Sequence, residues 1–137
     1  MKGNSVIYSA VYDQLDSALA DLDTFEQLHE GHVIGKYDAA VIDKENGKPH
    51  IVKRVDHPSI RVVPELFGGG ALPRHDLHEA AQELASNEVA LVVVGEPTLD
   101  KWFEESVTHS AKIAKRAFDD TTDELAAALI EATRSSQ

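Results

Sequence analysis

"VALVVVG", Val89 to Gly95, is apolar from end to end. A strand with one wet face alternates apolar and polar residues, so an unbroken run of this kind reads as an inner strand sheltered above and below. The run is far short of the roughly 20 residues that a helix needs to cross a bilayer. It therefore demands cover from the rest of the chain, and the neighbouring segments are read for elements able to supply it.

Downstream, Pro97 suits a first helical turn, and Leu99, Trp102, Phe103, Ser106 and Val107 then fall on one side of a helix. "AKIAKRAF", from 111 to 118, reads as a strand. "TTDELAAALIEATRSS" reads as a closing helix, with Thr121 and Glu124 at capping-box spacing and Leu125, Ala128, Leu129 and Ala132 at helical intervals. Upstream, "DLHEAAQELASNE" is a short helix with Leu77, Ala80, Ala81 and Leu84 on one stripe, and with Asp76 and Glu79 spaced as a reciprocal cap. The stretch from His57 to Pro73, with its glycine triplet Gly68 to Gly70, is a connector.

The first half carries a similar alternation. "SVIYSAVY", Ser5 to Tyr12, is rich in β-branched and aromatic residues, and Leu15, Ala18, Leu19, Leu22 and Phe25 follow at helical spacing. "KYDAAVID" and "PHIVKRVD" then flank Asn46-Gly47, which supplies the positive φ angles of a tight hairpin.

The order βαββαβαβα over residues 1–137 predicts one α+β domain, a ferredoxin-like sandwich with a mixed sheet. Parallel crossovers joined to an antiparallel hairpin are the reason for expecting the mixture. The two longer helices are expected on one face. The other face must then be covered by the short helix, the final helix or a second copy, and a homodimer through the sheet is the expected answer.

Composition narrows the function classes. Thirteen basic against twenty-four acidic residues leave a net charge of −11, which disfavours nucleic acid and anionic membranes as partners. No segment reads as a signal peptide or a membrane span, and cysteine is absent, which excludes thiolate chemistry and cysteine-based metal sites and fits a cytoplasmic protein.

The segments "YDAAVIDKENGKPHIVKRVD", "EVALVVVGEPTLDKWFEESV" and "AKIAKRAFDDTTDELAAALIEA" resemble the bacterial domain of unknown function 1269 family. The resemblance implies two halves of a ferredoxin-like domain split by a glycine-zipper membrane insert. In this chain "LFGGGALP" stands at the place of that insert, so the likeness implies a soluble variant without it.

Candidate site residues cluster near the connector. Gly70 is followed by "ALPRHD" in place of the lysine and hydroxyl of a P-loop, so that signature fails. Arg74, His75 and His78, at the start of the short helix, are the residues expected to hold a small anionic or aromatic ligand. His75 and His78 are three apart, and Asp76 or Glu79 could complete a zinc set, but "HDLHE" lacks the HExxH order and no metal or cofactor is assigned. His29 and His32 flank a helix end and read as capping residues. Lys53 and Arg54, with His50 and His57 beside them, and Lys112, Lys115 and Arg116 form the only basic concentration, read as strand-edge protection. No nucleophile elbow and no assignable acid and base pair is present. The expected function is a binding or interaction module, working through an exposed sheet face or helix, with ligand binding at Arg74, His75 and His78 as the alternative.

Overall fold

The computed structural model describes residues 5–35, 37–57, 74–107, 112–118 and 122–135. Gly68 to Gly70 and Thr121 of the expected final cap lie outside them. Among these residues five strands and four helices follow one another: β1 (Ser5–Tyr12), α1 (Leu15–Glu30), β2 (Tyr37–Glu45), β3 (Lys48–His57), α2 (Arg74–Gln82), β4 (Val89–Gly95), α3 (Asp100–Ser106), β5 (Lys112–Phe118) and α4 (Thr122–Ser135). A 3-10 turn, Pro97–Leu99, leads into α3.

The strands form one sheet in the order β3-β2-β4-β1-β5. Every pairing is antiparallel, so the expected mixed sheet is corrected. The physical reason lies in the crossovers. β1 and β2 do run the same way, as do β4 and β5, but each crossover skips one strand position. The gap left between β1 and β2 is filled by β4, and the gap between β4 and β5 by β1.

β4 is the central strand, and all seven of its residues are buried. Its side chains alternate between two cores. Leu91 and Val93 join Tyr8, Leu22, Phe25 and Phe103 under α1 and α3. Ala90, Val92 and Val94 join Ile7, Leu77, Leu84, Leu129 and Ala132 under α2 and α4. A strand roofed on both sides has no face that needs to be polar, which is why the run is unbroken. The two crossover helices, α1 and α3, lie together on one face, as expected. The short helix and the final helix supply the second roof, so the packing reason for a homodimer falls away.

The hairpin turns where its sequence requires. Asn46 and Gly47 have φ of 55° and 79°, the left-handed pair of a two-residue turn. A register shift between Val41 and Ile42 marks a bulge in the β2–β3 ladder. No helix among the described residues is long and apolar enough to cross a membrane.

Candidate functional site

α2 is fixed through the stripe Leu77, Ala80 and Ala81, all fully buried against the sheet and α4. Asp76 lies within the first turn, since the helix already runs at Arg74, so it is not the cap residue that the spacing suggests. Arg74 is exposed and His78 is half-buried. His75 is exposed, and its Nε2 stands 3.2 Å from Glu79 Oε2, one helical turn on. One donor atom each from His75, Asp76 and Glu79 lies within 4.8 Å of the others. Of the three expected ligand residues, then, only His75 joins this cluster, and Asp76 and Glu79 complete it.

Asp76 is 7% exposed. Its burial pushes the carboxyl above its ordinary range, Glu79 adds to the rise, and His75 opposes it. Two carboxylates at the helix start occupy the region where an anionic ligand would have to sit. The local charge therefore suits a cation better than the expected anion.

The opposite layer carries most of the hydrogen-bonded aromatic groups. Tyr8 stacks on Phe103 at 4.9 Å between centroids, and Phe103 and Tyr37 both meet Phe25. The Tyr12 hydroxyl donates to Asp21 Oδ2 at 2.8 Å, the Tyr37 hydroxyl to Glu26, and the Tyr8 hydroxyl to the Glu96 carbonyl at 3.4 Å. Burial first, and the adjoining carboxylates second, push all three phenols far above their ordinary range. They remain protonated donors and are unsuited to act as bases near neutral pH.

Outside this core the layer is acidic. Residues 3–35 contain six Asp and Glu and no Lys or Arg. Asp21 is buried, whereas Asp13, Asp16, Asp23 and Glu30 are exposed. Asp16, Asp23 and Glu30 are spaced by seven, which sets them along one side of α1. Glu104 and Glu105 of α3 are exposed in the same layer. Charge composition flags the excess, but the sequence alone gave no reason to place it on one layer. The fully buried Asp38 on β2 also escaped notice, because "YDAAVID" shows a strand without showing that both of its faces are covered.

The expected basic concentration divides. Lys53 and Arg54 belong to β3, and Lys112, Lys115 and Arg116 to β5, at opposite edges of the sheet. Lys115 pairs with Asp100 of α3, and Arg116 Nε stands 3.4 Å from Glu131 of α4. Asp100 is held below its ordinary range first by the Lys115 ammonium and next by the Tyr8 hydroxyl. His29, in the last turn of α1, bridges to the Gly35 carbonyl beyond the helix at 3.1 Å and meets the Tyr37 ring edge-on. Comparison with models of protein families, with curated proteins and with solved structures found no match.

Proposed function

We propose that this chain is a soluble binding module, built on a ferredoxin-like sandwich, whose α1–α3 surface takes a positively charged segment of a partner. The sandwich reading is supported by the two interleaved crossovers. With β3 and α2 set aside, the strands stand in the order β5-β1-β4-β2, the two halves each contributing a strand, a helix and a strand.

The observation that carries the function is the exposed acidic stripe Asp16, Asp23 and Glu30 in a stretch without a single Lys or Arg. Seven residues of helix advance roughly 10 Å, so the stripe offers carboxylates at regular intervals for cations of a partner to meet. The net charge of −11 adds long-range attraction for a basic partner and repulsion between copies. Beside α1, the half-buried Trp102 already carries a cation over its ring, with Lys101 Nζ at 4.8 Å from the centroid. Direct participation of the sheet faces is disfavoured, since helices cover both.

A short oligolysine peptide tests the reading by calorimetric titration at low and physiological salt. Asp23→Lys, on the stripe, is expected to weaken binding several-fold, whereas Glu131→Lys on α4, with the same change of charge, should leave it nearly unaltered. An equal loss in both variants would assign the binding to bulk charge and overturn the proposal, as would the absence of binding to the unaltered chain.

A further inference from the structure

We propose that the first turn of α2 binds a divalent transition-metal ion through His75, Asp76 and Glu79. The site lies on the layer opposite the acidic stripe and is independent of the function proposed above.

Geometry is the first support. Metal bonds of about 2.0–2.2 Å to nitrogen and oxygen set neighbouring ligand atoms roughly 3 to 3.5 Å apart. His75 Nε2 and Glu79 Oε2 stand at 3.2 Å, already at such a separation, and the i, i+4 spacing keeps both on one side of the helix. An oxygen of Asp76 lies within 4.8 Å of both, a gap that a modest side-chain rotation closes.

The second support is the state of Asp76. The residue is only 7% exposed, and one of its oxygens lies within reach of the His75–Glu79 pair. Two carboxylates held this close, one of them on a largely buried residue, repel each other, and a cation shared with His75 would remove much of that cost. The neighbouring turn of the hairpin shows what an ordinary His and acid cluster looks like. There His50 Nδ1 faces Asp43 Oδ1 at 3.0 Å while Nε2 faces Glu45 Oε1 at 3.7 Å. Two carboxylates on different ring nitrogens cannot share one ion with that imidazole, whereas at α2 all three donors converge.

The donor set indicates the class of ion. One imidazole with two carboxylates suits zinc or a neighbouring first-row divalent ion better than magnesium or calcium, which favour sites made of oxygen alone. Three protein ligands leave the remaining positions to water. The partial positive charge of the helix start and the nearby Arg74 oppose the ion, so binding in the micromolar range is expected rather than the tight hold of a structural zinc.

The test is calorimetric titration of zinc chloride into the full chain after treatment with chelator. One ion per chain is expected. His75→Gln and Glu79→Gln alter exposed side chains, so the fold is retained, and each should weaken binding at least tenfold while His50→Gln leaves it unchanged. Lack of saturable binding, or equal affinity in the His75 and Glu79 variants, overturns the site. Loss on His50→Gln alone would move the ion to the hairpin and overturn it equally.

Discussion

Tyr12 shows how much of this protein is decided by single hydroxyl groups. Its ring is buried beneath α1, and its phenol donates to the buried carboxylate of Asp21. Tyr37 repeats the arrangement with Glu26, and Tyr8, whose phenol donates to the Glu96 carbonyl, lies beside Asp100. Because burial raises all three phenols, the folded chain keeps protons that the unfolded chain begins to release near pH 10. The sign follows directly: their stabilisation is complete below about pH 10 and is lost as the pH rises above it. Each phenol that stays protonated in the folded chain contributes a fall of about 1.4 kcal/mol per pH unit beyond that point. Urea unfolding across the alkaline range should therefore show a level midpoint up to about pH 10 and a steep decline beyond it. Tyr12→Phe should cost about 1–3 kcal/mol at neutral pH, by taking a donor from a buried acid, and should make the alkaline decline shallower. An unchanged decline in that variant would remove Tyr12 from this account. The partnership itself could not be read in advance. Tyr12 and Asp21 are nine residues apart, and only the rotation of α1 about its axis brings them together.

At the scale of elements, the hairpin permits a sharper comparison between two glycines. Gly47 has φ of +79° with open space around the position of a missing Cβ, and Gly35 has open space but no such φ. Steric clash with neighbours is thus absent at both, and only backbone conformation separates them. Gly47→Ala should destabilise the chain by about 1–2 kcal/mol, the cost of a left-handed alanine. Gly35→Ala should be neutral or stabilise by up to about 1 kcal/mol, since it restricts the unfolded chain. Thermal unfolding of the two variants checks this, and similar shifts in both would contradict it. The turn was legible because Asn-Gly between two apolar segments has a local cause, and the helix stripes were legible for the same reason: Ala18, Leu22 and Phe25 are all buried. Strand direction was less so. An apolar run such as Val89 to Val94 reports that two faces are covered, and it carries the same message whether its neighbours run parallel or antiparallel. Of the candidate site, the sequence placed His75 at the start of α2, where it stands beside Glu79. Whether Asp76 capped the helix or sat within it depended on where the helix begins, and no local signal fixed that.

For the whole molecule, the two roofs over β4 shift the question of assembly from packing to charge. A central strand covered within one chain gives no apolar reason to pair, and eleven net negative charges per copy oppose pairing. The same charge acts within the folded chain, where α1 itself carries no Lys or Arg to offset its exposed stripe. The opposing term is the set of ion pairs such as Lys115 with Asp100, Arg116 with Glu131 and Arg134 with Glu83, the last joining α4 to the segment after α2 at 2.9 Å. All three pairs are at the surface, where such contacts are each worth about 0–1 kcal/mol and are themselves screened by salt. Repulsion among the uncompensated acids is spread over many more charges and is screened over a Debye length of about 10 Å at 0.1 M salt. Relief of repulsion should therefore outweigh the loss of the pairs, and the melting temperature should rise as sodium chloride is added from low to moderate concentration. The rise should be smaller in a variant with Asp16→Asn and Asp23→Asn, which thins the stripe without touching the core. A melting temperature that falls with salt would show that the surface pairs, and not the acidic excess, govern the electrostatics of this fold.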